Sequence, residues 1–185
     1  MIKSYSEKEI TKQWIFEALL YLIDQESYEK ITITSITQKA GVPRSTFYRY
    51  FCEKDDILKE HIEFFYEEFA YEFKVNHLET VRDYVNFHFY FFKKNEKFFR
   101  ALKKIHKEHI FFDYISDESL YMHFPIEDRY YVLYQAVSFC SIIFSWVIAN
   151  GPLKEKEMVD LVMSFLSQDT LKKILPIFLK RHQKL

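Results

Sequence analysis

The sequence predicts an all-α protein. A three-helix N-terminal head carries a helix-turn-helix, and a larger helical C-terminal part follows it. Three observations carry this expectation. Only two Gly and four Pro occur in 185 residues, and apolar side chains recur at three- and four-residue spacing through each long segment. Apolar residues make up 49% of the chain and aromatics 19%, enough to cover the inner faces of many helices. Positive charge is concentrated: Lys30 to Lys54 holds five Lys/Arg and one acid, whereas the whole chain has a net charge of −1. The length suits one compact unit or two small ones. Cys52 and Cys140 are far apart and lack metal-ligand spacing, and the N-terminus is charged without an apolar signal core. A reducing cytoplasm is therefore the expected compartment.

A first helix is expected over residues 7–25, with Ile10, Trp14, Ala18 and Leu22 as its buried stripe and Ile15 and Leu19 beside it. Residues 26–30 form a turn. Ile33, Ile36 and Ala40 then give a second, short helix one apolar face, with Thr32 placed to cap its start. Gly41 ends it, because a positive φ costs glycine little. Pro43 suits the first turn of a third helix, which runs to about Phe51. Stepping residues 44–51 by 100° per residue puts Arg44, Ser45, Tyr48 and Arg49 on one arc. Phe47, Tyr50 and Phe51 fall opposite, with Thr46 at the border. One face is greasy; the other carries the cations and hydroxyls that reach base edges and phosphates.

The run AGVPRSTFYRYFCEKDDIL resembles the helix-turn-helix of the tetracycline-repressor (TetR) family, in wording similar to one branch of small regulators from low-GC Gram-positive bacteria. Ala40, Gly41, Val42, Thr46, Phe47, Tyr48, Phe51 and Lys54 carry the likeness. It covers about the first third of the chain. The resemblance implies double-stranded DNA as partner. Thr34, Ser35, Arg44 and Ser45 match positions that touch bases or nearby phosphates, and Thr46, Tyr48 and Lys54 match phosphate-binding positions. Arg49 shares the arc. A Lys at a helix start opposes the macrodipole, so Lys54 makes sense there as a phosphate contact. Pro43 departs from the family, where a capping Ser is common. The implied division is a DNA-binding domain over 1–53 and a helical ligand-binding and dimerisation domain over 54–185.

Residues 55–74 continue as a long helix with Ile57, Leu58, Ile62, Phe65 and Phe69 on its buried side. Asn76 and His77 mark a break. Residues 78–122 hold two or three helices, parted near Asn95, with Phe98, Leu102, Ile105 and His109 on one of them. Seventeen aromatics lie from Phe64 to Tyr114. They are either a packed core or the walls of a ligand cavity. In the second case Phe65, Phe69, Tyr84, His88, Phe91 and Phe99 are the candidate lining, and the effector is a small hydrophobic molecule, neutral or weakly cationic. His106 and His109 are expected on one helix face but lack further ligands, so no metal and no cofactor is expected. No Gly-rich phosphate loop, nucleophile elbow or catalytic constellation is present, which argues against an enzyme.

Residues 127–150 are apolar nearly all round, and a helix of that kind needs a second surface to bury against. It is long enough to cross a bilayer, but its serines, Gln135 and three tyrosines favour a partner chain. Gly151 and Pro152 stop it, and residues 155–167 follow as another helix. Two such helices resemble the dimerisation pair of the family. Val137, Ser138, Ser141, Ile142, Ser145, Trp146, Val162 and Phe165 are the candidate contacts. A last amphipathic piece spans 169–182, with Pro176 inside it and Lys172, Lys173, Lys180 and Arg181 as a solvated face. The expected function is a dimeric regulator on a palindromic operator, a repressor released by a small hydrophobic ligand. The alternative is an architectural or nucleoid-associated protein without an effector.

Overall fold

A computed structural model describes residues 5–76, 80–122, 124–149 and 153–165. Every regular element among them is helical: α1 Glu7–Gln25, α2 Ile33–Ala40, α3 Arg44–Tyr50, α4 Lys54–Val75, α5 Val81–Lys94, α6 Glu96–Lys104, α7 Glu108–Ser116, α8 Ile126–Ala149 and α9 Glu155–Phe165, with short 3-10 turns at Tyr28–Lys30 and Glu118–Tyr121. The expected stop at Gly151 and Pro152, the break at His77 and the amphipathic piece over 169–182 lie outside the described residues.

The chain divides into two compact units. The first comprises residues up to Phe64 together with Ala101–Phe111. It thus extends past the 1–53 segment and takes in a stretch from the middle of the chain. Ser6 and Glu9 form a capping box at the start of α1, satisfying two orphan N–H groups reciprocally. The buried side of α1 is Ile15, Phe16, Ala18, Leu19 and Ile23, packed on α2. The expected stripe was rotated: Ile10 is 40% exposed and Trp14 56%. Two overlapping apolar arcs run along α1, and periodicity alone does not choose between them. Ile31, Ile36, Phe47, Ile57, Leu58 and Ile62, each at most 2% exposed, join the core of this unit, as do Leu102 and Phe111 at 0%.

Residues 101–111 include a sharp corner. The Lys107 N–H donates to Leu102 O at 2.9 Å and the His106 N–H to Lys103 O at 3.2 Å, while His106 has φ 56°. This is a Schellman end to α6, with a histidine in the left-handed position that glycine usually takes. His109 lies beyond it in α7, so His106 and His109 do not share a helix face, and the helix expected through Phe98, Leu102, Ile105 and His109 is two helices.

In the second unit, Phe65–Arg100 and residues from Phe112 onward, Thr80 and Asp83 form a capping box on α5. Helices α8 and α9 pack on α5. The Arg100 guanidinium donates to Val147 O at 2.8 Å and Ile148 O at 3.0 Å, satisfying carbonyls at the end of α8 that the helix itself leaves open.

Candidate nucleic-acid interface

The turn between α2 and α3 is set by local chemistry. Thr32 Oγ1 accepts the Ser35 N–H and Ser35 Oγ accepts the Thr32 N–H, both at 3.0 Å. Gly41 has φ 69° and passes its N–H to Gln38 O, while the Val42 N–H reaches Thr37 O. A Cβ at Gly41 would meet nothing within 4 Å, so the backbone conformation, not space, calls for glycine there. Pro43 stands one place earlier than expected, as the N-cap of α3 with no side-chain bond. Its carbonyl still accepts the Thr46 N–H at 2.9 Å.

Helix α3 is held from behind. Phe47 is 0% exposed and Phe51 4%, with ring centroids 5.5 Å apart. On the other side Arg44, Ser45, Tyr48 and Arg49 are exposed, as is Thr34 on α2. The four exposed α3 residues expected to share an arc do share it. Arg44 Nη2 donates to the Tyr48 hydroxyl at 3.1 Å. Ser35 and Thr46 are half-buried. The Ser35 hydroxyl is already engaged, since it also donates to Thr32 O at 2.8 Å.

Lys54 lies at the junction between the 3-10 turn and the start of α4. Its ammonium donates to the carbonyls of Tyr28 and Ile31 and lies 4.1 Å from the Tyr28 ring centroid. As placed, it ties the 3-10 turn to the start of α4. The next residue extends that junction. Asp55 accepts from the Tyr28 hydroxyl at 2.6 Å and from Lys107 Nζ at 2.7 Å. Burial alone would raise the Asp55 carboxyl, but these two donors more than offset it and hold the group below its ordinary value. Burial, and then Asp55, push the Tyr28 phenol up. Asp56 caps the backbone N–H groups of Cys52 and Glu53 at 3.0 and 3.1 Å. Sequence reading missed the Tyr28–Asp55–Lys107 contact, because its members belong to no common period. An acid at a helix start was the one available signal.

The six candidate ligand residues form one continuous group. Phe65 meets Phe91 and Phe99 at centroid distances of 4.9 and 5.3 Å. Phe69 meets His88 at 4.4 Å and Phe91 at 5.3 Å, and Tyr84 meets His88 at 4.0 Å. None of the six is more than 7% exposed. At such spacings the rings touch one another.

On α8 the outward face runs through Tyr130, Tyr134 and Ser145, all exposed, with Val137, Ser138, Ser141 and Ile142 half-buried along it. Tyr130 and Tyr134, 63% and 64% exposed, were missing from the expected contacts. Two others are committed within their own chain. Trp146 donates its indole N–H to Leu153 O at 2.9 Å and meets Phe89 edge-on, and Val162 is 2% exposed whereas Phe165 is 64%. Helix α8 is the one described helix long and apolar enough to cross a membrane, and a third of its most apolar window is buried inside the protein.

Residues 15–61 match the family described as bacterial regulatory proteins, tetR family. No curated protein matches the chain. Among solved structures, Lin0861 from Listeria innocua aligns with a TM-score of 0.68 at 20% identity, over 89% of this chain and 93% of that one. The dihydroxyacetone kinase operon activator DhaS aligns with a TM-score of 0.53 at 22% identity, over 84% and 95%. The fatty acid degradation regulator FadR from Bacillus halodurans gives 0.53 at 18%, over 88% and 95%. At these identities the likeness establishes the fold.

Proposed function

We propose, from the premise that this chain belongs to the tetR family of bacterial regulatory proteins, that it is a dimeric, cytoplasmic DNA-binding regulator of transcription. The observation that carries the reading is the exposed Arg44–Ser45–Tyr48–Arg49 arc, mounted on the buried Phe47 in a segment of concentrated positive charge. Arg44 is the base reader in this reading, with Thr34 and Ser45 beside it, and Arg49 supplies charge to the backbone. No enzymatic role is proposed. The test is titration of the full chain against a duplex pool with a randomised core, at several salt concentrations. Affinity should fall linearly in log–log form with salt, as phosphate neutralisation requires, and selection should enrich a palindromic site. Absence of binding at low salt would defeat the proposal.

Regulation admits two readings. In the first, a small hydrophobic ligand enters among the aromatic rings of the second unit and releases a repressor from DNA. A ligand with a tenfold preference for the released shape would weaken DNA binding by about 1.4 kcal/mol. In the second, the protein works without an effector, and the mutual contact of Phe65, Phe69, Tyr84, His88, Phe91 and Phe99 favours it. A thermal-shift screen of hydrophobic compounds, followed by DNA-release titration, separates the two. A compound that raises the melting temperature and releases DNA selects the first.

A further inference from the structure

We propose that Tyr48 is a positioning residue for Arg44: its hydroxyl holds the guanidinium in the orientation that reads a base. This rests on the DNA-binding reading above and replaces the phosphate role expected for Tyr48. The geometry forms a short chain of constraint. Phe47 is 0% exposed, and the Tyr48 ring stands edge-on to it at 5.5 Å and 84°. The Tyr48 ring thus has one edge-on contact with the core while it is itself 52% exposed. Arg44 lies one helical turn earlier, at the spacing where side chains on a helix meet. Its Nη2 is 3.1 Å from the Tyr48 hydroxyl, and its Cζ is 5.7 Å from the ring centroid.

The choice of acceptor matters. Among the described residues Arg44 has no carboxylate partner, and the first turn of α3 carries no acid. A carboxylate would hold the guanidinium but cancel its charge; a phenol holds it and leaves the charge for DNA. A guanidinium has five N–H donors in a fixed fork. One is spent on Tyr48, and the four that remain are enough for the pair of bonds that matches O6 and N7 of guanine. Holding the fork in place before binding reduces the ordering cost paid on the correct base.

The test compares the full-length wild type, Tyr48→Phe, Arg44→Ala and the double variant. Each is selected on a randomised duplex pool, then titrated on the preferred duplex and its single-base variants. Tyr48→Phe keeps the ring against Phe47, and matched circular dichroism and melting temperatures confirm an intact head. The expected result is that Tyr48→Phe lowers discrimination at the same base pair as Arg44→Ala, by about 2–10-fold, the worth of one hydrogen bond. Adding it to Arg44→Ala should then change nothing further. Equal weakening on every duplex, with effects that add in the double variant, would overturn the proposal and make Tyr48 a phosphate contact. Unchanged base preference in Arg44→Ala would overturn it too. A wild type that binds duplexes but enriches no sequence would also overturn it, whereas one that binds no duplex at low salt would instead defeat the DNA-binding reading itself.

Discussion

His61, on α4, is the buried titratable group with the clearest consequence at the scale of single residues. It is 7% exposed and stacked on Phe16, and burial pushes its imidazole down from 6.5 to about 3. Folding therefore favours the neutral ring. The unfolded chain binds a proton below pH 6.5 that the folded chain refuses. Stability from this group is full above that pH and is lost as pH falls from 6.5 towards 3, at about 1.4 kcal/mol per unit. Urea unfolding between pH 7 and pH 4.5 should show the slope, and His61→Phe should flatten it. The lowered carboxyl of Asp55 also loses its contribution on acidification, but below the ordinary value of 3.8, outside that window. Lys54 gives a second test. If its ammonium serves the Tyr28 and Ile31 carbonyls, Lys54→Met should cost about 1.5–3 kcal/mol of stability, the worth of charged hydrogen bonds. A phosphate contact would leave stability alone and lower the salt slope of DNA binding by about 1.

Among the elements, the corner between α6 and α7 stores a local cost. A non-glycine residue in the left-handed region is disfavoured by about 1–2 kcal/mol, and His106 occupies it at φ 56°. His106→Gly should relieve that cost and pay back part of it in unfolded-state entropy, a net gain of about 0.5–1 kcal/mol by chemical denaturation. His106→Ala should give no gain. This corner also shows where sequence reading stops. Gly41 announces the end of α2 because the residue that takes a positive φ there is a glycine. His106 takes the same conformation under a different side chain, so the break between α6 and α7 carries no signal. Helix α1 shows a second limit. Ile10 and Trp14 lie one turn apart, as core residues do, yet they face outward while Ile15 and Leu19 are 0% exposed. The α2–α3 turn, by contrast, was legible residue by residue, since Thr32, Gly41 and Pro43 act through their own backbone chemistry. So was the inner face of α4, where Ile57, Leu58, Ile62, Phe65 and Phe69 are all buried. Lys54, Asp55, Tyr28 and Lys107 meet only in three dimensions, and no spacing along the chain encodes that.

For the whole molecule, we propose that a second copy of the chain covers the outer face of α8. Tyr130 and Tyr134 are nearly two-thirds exposed, and at 100° per residue they lie within 60° of Val137, Ser141 and Ser145. Two exposed aromatic rings one turn apart, with small residues along the same face, suit a contact with another protein surface. A stable homodimer buries roughly 1,200–2,000 Å², more than these side chains alone provide, so Leu161 and Phe165 of α9, 40% and 64% exposed, are expected to join them. Two-fold symmetry then makes the contact self-complementary and places two recognition helices on half-sites related by a palindrome. Tyr134→Glu is the informative variant. The side chain already faces water in one protomer, so helix content and melting cooperativity should persist. In the dimer it would bury one unpaired carboxylate from each protomer, a cost of several kcal/mol. Sedimentation should show a dimer for the wild type at micromolar concentration and a folded monomer for Tyr134→Glu, with affinity for the palindromic site lost and binding to a single half-site retained. A wild type that sediments as a folded monomer under those conditions would refute the dimer, and α8 would then need a different partner for its tyrosines.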